Sequence, residues 1–151
     1  MDHFKAEVFG QKLVLRDMVE DDVETIVGYW HDGDPAFLRS FGADISRLGP
    51  RDATRERLLT SLQEGLQPGR AYFLVASEAE RLAYTNLNFR SATEACAHFH
   101  VLKRTAKVRA IMYVLFPEVI KIFFSRFQLE RIEMQLFPRT RISTGYYGGL
   151  G

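Results

Sequence analysis

Between Ala71 and Leu102 three short apolar segments follow one another with almost no chain between them: "AYFLVAS" (71–77), "LAYTNLNF" (82–89) and "ACAHFHVL" (95–102). Polar turns through Glu78, Glu80 and Arg81, then through Ser91, Thr93 and Glu94, leave each segment room only to fold back on its neighbour. The spacing therefore predicts an antiparallel meander. Alternation then assigns the faces. Tyr84, Asn86 and Asn88 share one side of the middle segment, and Cys96, His98 and His100 share one side of the last. Adjacent strands of this kind would gather Asn86, Asn88, His98 and His100 into a polar strip. That strip is either an ordinary solvated sheet face or the lining of a cleft.

The flanking segments complete the domain. "KLVLRDM" (12–18) reads as a first strand, and "EDDVETIVGYWH" as a helix with an acidic first turn and Val23, Ile26, Val27 and Trp30 at helical spacing. The Gly-, Pro- and Asp-containing stretch 32–50 reads as a loop. "RDATRERLLTSLQEGL" predicts a second amphipathic helix, with Asp52 as candidate cap and Leu58, Leu59, Leu62 and Leu66 on one face. A long helix is expected over 107–127. Apolar residues on nearly all its sides suggest packing between two layers, and Pro117 inside it should produce a kink. "LERIEMQLF" (129–137) alternates as a further strand, and the tail after Pro138 contains no strand-like run. The order βααβββαβ makes residues 1–151 one α+β domain, with helices covering a mixed sheet.

Bulk composition narrows the function. A formal net charge of +1 supplies no global field for nucleic acid or an anionic membrane, so any electrostatic recognition is local. Cys96 is the single cysteine, which rules out an internal disulfide and makes a reducing cytoplasm the default compartment. The greasiest run, 110–124, includes Pro117, Glu118 and Lys121 and is too short for a bilayer span. Although Cys96, His98 and His100 form a line of metal-ligand types, no acidic or further thiol ligand lies nearby, and no metal is expected.

Lys103, Arg104, Lys107 and Arg109 crowd the junction between the third strand of the meander and the long helix. Cations at a helix N-terminus are unfavourable, whereas an anion is favoured there by free N–H groups and the dipole. Two readings stay open: a solvated cluster of long side chains, or a site for a phosphate-bearing ligand.

"KLVLRDMVEDDVETIVGYW", the meander, and "PEVIKIFFSRFQLERIEMQLFPRTRIS" together resemble the GNAT superfamily of N-acetyltransferases over almost the whole chain. The resemblance implies a mixed, mostly antiparallel sheet flanked by helices, with acetyl-CoA as co-substrate. The family's Arg/Gln-x-x-Gly-x-Gly/Ala turn, which holds the pyrophosphate, corresponds to "KVRAIM", with Ala110 and Met112 at the glycine places. It implies cofactor contacts at Val101, Leu102, Lys103, Lys107, Val108, Arg109, Ala110, Ile111 and Met112. The acceptor, a small-molecule or peptide amine, would meet Tyr29, Trp30, Tyr84, Asn86 and Asn88. His98 or His100 would take the amine proton, and Tyr147, at the family's acid position, would protonate the leaving thiolate.

The family's closing strand has no counterpart before Gly151, so an open sheet edge is expected, favouring self-association or a strand supplied by a partner. The altered turn also motivates an alternative: a degenerate, non-catalytic member binding a ligand or partner through the same cleft.

Overall fold

The computed structural model describes residues 1–40, 45–64, 69–136 and 140–145. Among these residues seven strands form one sheet in chain order: β1 (Asp2–Val8), β2 (Gln11–Asp17), β3 (Arg70–Ala76), β4 (Arg81–Phe89), β5 (Glu94–Val101), β6 (Arg131–Leu136) and β7 (Thr140–Gly145). Every neighbouring pair is antiparallel except β5 and β6, which run parallel. That one parallel pair needs a crossover, and helix α4 (Ala106–Arg126) supplies it. Helices α1 (Val23–His31), α2 (Pro35–Ser40) and α3 (Arg51–Glu64) fall between β2 and β3.

The antiparallel meander forms as expected, and β2 extends it. Three segments differ from the sequence reading. Strand β1 was not expected; it pairs with β2 through a two-residue turn in which Phe9 and Gly10 both have positive φ (49° and 78°). Such a turn matches the twist of the two strands, and glycine meets the second position without strain. The stretch 32–50 contains α2 and a short 3-10 turn, Ile45–Arg47. The tail after Pro138 includes β7, antiparallel to β6.

Alternation divides the sheet into two cores. On one face Phe73, Val75, Ala83, Leu87, Ala95 and Ala97 pack beneath α4, which contributes Val108, Ile111, Met112, Leu115, Val119, Ile120, Phe123 and Phe124. An aromatic layer tightens this side, with Phe73 and Phe123 at 5.0 Å and Phe99 and Phe116 at 4.4 Å between ring centroids. The apolar residues of α4 recur every three or four positions, so only one face is buried. Tyr113 is 86% exposed and Val114 also faces outward, which corrects the expectation of a helix packed between two layers. Pro117 lies within α4, which is continuous on both sides of it.

On the other face Met18, Val23, Ile26, Val27, Leu58, Leu74 and Tyr84 form the second core under α1 and α3. Leu59 and Leu62 pack at its margin, and Leu66 lies outside the described residues. Asp52 sits within the first turn of α3, where its carboxylate accepts from Arg55 at 2.5 Å. His31 and Thr54 share a 2.8 Å hydrogen bond between α1 and α3, and Arg55 pairs with Glu24 across the same seam.

A buried carboxylate fixes the entry to α1. Asp22, fully buried, accepts from Arg16 at 2.7 and 2.9 Å, from Arg81 at 2.6 Å and from the Val19 amide at 2.8 Å. Burial alone would raise its pKa. The charge-assisted hydrogen bonds outweigh it and hold the carboxyl at about 2.

The last feature of the sheet concerns β5 and β6. Their ladder runs from Glu94 opposite Arg131 to Ala97 opposite Met134 and ends there. Strand β5 continues to Val101 paired only with β4, while Gln135 and Leu136 of β6 pair only with β7. The two parallel strands thus part in the middle of the sheet.

Candidate functional site

The strip expected from alternation exists. Strand register sets Tyr84 opposite His100, Asn86 opposite His98 and Asn88 opposite Cys96, all on the α1/α3 side of the sheet. Tyr84, Asn86, Asn88, His98 and His100, together with Trp30, line a pocket of about 350 Å³. Its floor is apolar, made by Ile26 and Leu58, and its remaining walls come from Tyr72, Thr54, Leu48 and three arginines, Arg47, Arg57 and Arg70.

An aromatic cage holds His100. Its ring stacks on Tyr84 at 4.6 Å between centroids and meets the edges of Tyr29 and Trp30 at 5.3 and 5.1 Å. Tyr29 Oη and His100 Nδ1 share a hydrogen bond at 3.1 Å, and Trp30 Nε1 donates to Tyr84 Oη at 2.6 Å. Burial, reinforced by neighbouring His98, lowers the His100 pKa to about 3, so the imidazole is neutral across the physiological range. Burial also raises the hydroxyl pKa of Tyr29 and of Tyr84, which keeps both rings protonated.

His98 is more open. Burial, then the positive charges of Arg70 and Arg90, lower its pKa from the ordinary value, while Glu133 opposes the shift. Its Nε2 lies 3.5 Å from Cys96 Sγ. A neutral imidazole at the pocket wall can accept a proton from a bound group, and the nearby guanidiniums disfavour its charged form.

Of the expected acceptor-binding residues, Trp30, Tyr84, Asn86 and Asn88 line the pocket. Tyr29 does not. It stands behind the wall, half-buried, and reaches the pocket only through His100. Tyr147 lies outside the described residues. The arginines and Tyr72 were not expected. Their signal in the sequence is weak, since they come from the 3-10 turn, α3 and β3 and converge only through the fold.

The junction of β5 and α4 opens beside the parted strands. Val101 is half-buried against the α4 core, and the Leu102 amide donates to the Leu82 carbonyl at 2.9 Å. Lys103 is ion-paired with Glu80, and the Arg104 guanidinium lies 3.9 Å over the Phe37 ring. Lys107 and Arg109 are exposed and have no carboxylate partner among the described residues. Val108, Ile111 and Met112 turn their side chains into the core, so only their backbone faces the junction, and Ala110 is exposed.

These placements bear on whether a pyrophosphate fits. The Met112 side chain, the bulkiest departure from glycine, is withdrawn into the core, and the outward cations complement phosphate. Thr105 caps the helix, its Oγ1 accepting from the Val108 amide at 3.2 Å, which leaves the amides of Ala106 and Lys107 as the first-turn donors without an intrahelical acceptor. The residues present fit the group.

Among the described residues no cluster of His, Cys, Asp and Glu could hold a metal ion, and no helix is long and apolar enough to cross a membrane.

No protein-family model matches the sequence, and no curated protein does. Solved structures do resemble the fold. The chain is similar to RimL, a ribosomal L7/L12 alpha-N-protein acetyltransferase in complex with coenzyme A. The TM-score is 0.66 and the identity 14%, over 87% of this chain and 73% of that one. It is similar to the ribosomal-protein-S5-alanine acetyltransferase from Vibrio fischeri, with TM-score 0.64 and 15% identity, over 87% of this chain and 73% of that one. The spermidine N-acetyltransferase from Vibrio cholerae, in complex with CoA and spermine, gives TM-score 0.61 and 13% identity over 81% and 69%. The chain has the fold of the GNAT N-acetyltransferases.

Proposed function

We propose that the chain transfers an acetyl group from acetyl-CoA to an amine held in the pocket beside β5. The observation that carries this reading is the parting of β5 from β6 after the Ala97–Met134 pair. It leaves the backbone of His98 to Val101 paired on one side only, next to a pocket that His98 and His100 of the same segment line. Backbone donors along that free edge are suited to a developing negative charge on a thioester oxygen.

Acetyl-CoA supplies the activated acyl group as co-substrate. Lys107, Arg109 and the first-turn amides of α4 would hold its phosphates. His98 would accept the proton that the amine loses as its nitrogen forms the new C–N bond and the C–S bond breaks; the departing thiolate takes up a proton in turn. His100 orients Tyr29 and shapes the cage, and its low basicity makes it the poorer proton acceptor of the two histidines.

Titration calorimetry with acetyl-CoA tests the reading. The expected outcome is saturable binding that weakens when Lys107 and Arg109 are both replaced by Ala. No heat at millimolar ligand would exclude it. One observation favours the second reading, a binding domain without turnover: Thr105 already occupies the Val108 amide, in a turn that lacks the family's glycines. Binding of acetyl-CoA with no acetylation of any amine in a broad panel would select that reading.

A further inference from the structure

The pocket carries a charge pattern that the transfer reading does not require. Three guanidiniums, those of Arg47, Arg57 and Arg70, reach its lining, and among the described residues no carboxylate does. Five arginines elsewhere are matched to acids: Arg16 and Arg81 to Asp22, Arg51 to Asp32, Arg55 to Glu24 and Arg90 to Glu133. Arg57 and Arg70 have no such partner among the described residues. Helix α3 thus sends Arg51 and Arg55 to carboxylates of α1 and its neighbouring turn, yet presents Arg57, its next arginine, to the cavity.

Strand register locates the charge relative to the reacting end. Arg70 of β3 is opposite Asn88, Tyr72 is opposite Asn86, and Asn86 is opposite His98. Arg70 therefore lies two strands away and one same-face step along from His98. With strands about 4.8 Å apart and a two-residue step of about 6.8 Å, roughly 12 Å separate the two Cα atoms. Both side chains reach into that interval, with the amides of Asn86 and Asn88 between them.

We propose that the acceptor is an amine that also carries an anionic group, a carboxylate or a phosphate, several bonds from its nitrogen, and that Arg57 and Arg70 bind this group while the nitrogen approaches His98. A guanidinium fork can bind two oxygens of either anion at once. The same positive walls disfavour an ammonium ion and so raise the share of free amine, the form that attacks. Both Arg57 and Arg70 act on the pocket's own titratable groups, Arg70 depressing His98 and Arg57 opposing the upward shift of Tyr84. A polyamine would meet repulsion from these guanidiniums.

The inference rests on the acetyl-transfer reading for its chemistry, and the test separates the two. With saturating acetyl-CoA, kcat/KM is compared for 4-aminobutyrate, 3-aminopropylphosphonate, n-butylamine and spermidine. Ligand-observed NMR measures binding of the same four without acetyl-CoA. The expected result is a preference for one or both anionic amines over butylamine of about tenfold or more, as charge-assisted hydrogen bonds provide. The better of the two identifies carboxylate or phosphate as the source. Arg57→Gln and Arg70→Gln should each shrink that preference while leaving the acetyl-CoA dissociation constant in place.

Equal or better use of butylamine or spermidine overturns the inference, as does a preference that survives both substitutions. If no amine is acetylated, NMR binding of an anionic amine that the Arg57→Gln/Arg70→Gln double variant loses keeps the inference and removes the transfer reading. Failure of both anionic amines to bind overturns it.

Discussion

His98 and His100 differ by two positions in sequence and share a strand face, yet their surroundings give them different chemistry. His100 is enclosed by Tyr29, Trp30 and Tyr84, and its pKa of about 3 leaves it neutral in any working buffer. His98 borders the cavity with a smaller downward shift, the state expected of a base that must be empty at neutral pH. Under the proposed mechanism, kcat/KM rises with pH as His98 loses its proton, and the midpoint falls below the ordinary histidine value of 6.5. Replacing His98 by Gln should erase that limb of the pH–rate profile and lower kcat by about 100-fold. A limb that persists in the variant would assign the base elsewhere. At this scale the sequence was informative where alternation decides: the row Tyr84, Asn86, Asn88 and the row Cys96, His98, His100 follow from strand period alone. It was silent on Arg47, Arg57 and Arg70, because no local pattern distinguishes a cation bound for a cavity from one bound for solvent. That Tyr29 lies behind His100 was hidden for a related reason: helical spacing puts it near Trp30 without saying which of the two rings the histidine screens.

Strands with short turns were legible as elements, because apolar alternation and turn chemistry agree there. Strand β1 was missed since Lys5 and Glu7 break its apolar content, a composition that an edge strand tolerates. Helix α2 hid in a stretch whose Gly, Pro and Asp content signals a loop. The one-sided burial of α4 was obscured by Tyr113 and Val114, apolar residues that the fold leaves outside. What ties α1 to the sheet was not visible at all: Asp22 read as one of several acids in a first turn. Its carboxylate joins the ends of β2 and β4 to the start of the 3-10 turn Glu20–Asp22 through Arg16, Arg81 and the Val19 amide. Asp22→Ala strands two guanidiniums and an amide. Losing one partner of a fully buried pair costs about 3–5 kcal/mol, and the partial exposure of both arginines reduces this to about 2–3 kcal/mol. Urea unfolding at pH 7 measures the difference, and a loss below about 0.5 kcal/mol would mean that the cluster only decorates the entry to α1.

Acid should weaken the whole molecule in two stages. The folded pKa of His100, about 3, lies below its unfolded value near 6.5, so in between the unfolded chain binds more protons and stability falls as pH drops. Asp22, held at about 2 against 3.8, adds its loss between those values. Denaturant midpoints measured at pH 7 and pH 4.5 should therefore diverge for the native chain, and His100→Gln should flatten the difference; an unchanged slope would mean that His100 protonates without penalty. One further consequence belongs to β5, a partition with a dry side and a wet side. Sliding it by a single residue along β4 would thrust two imidazoles among the phenylalanines and turn Phe99 toward water. A chain that misaligns this strand loses its aliphatic interior and its chemistry in the same stroke, so every molecule stable enough to persist already has both histidines facing the cavity.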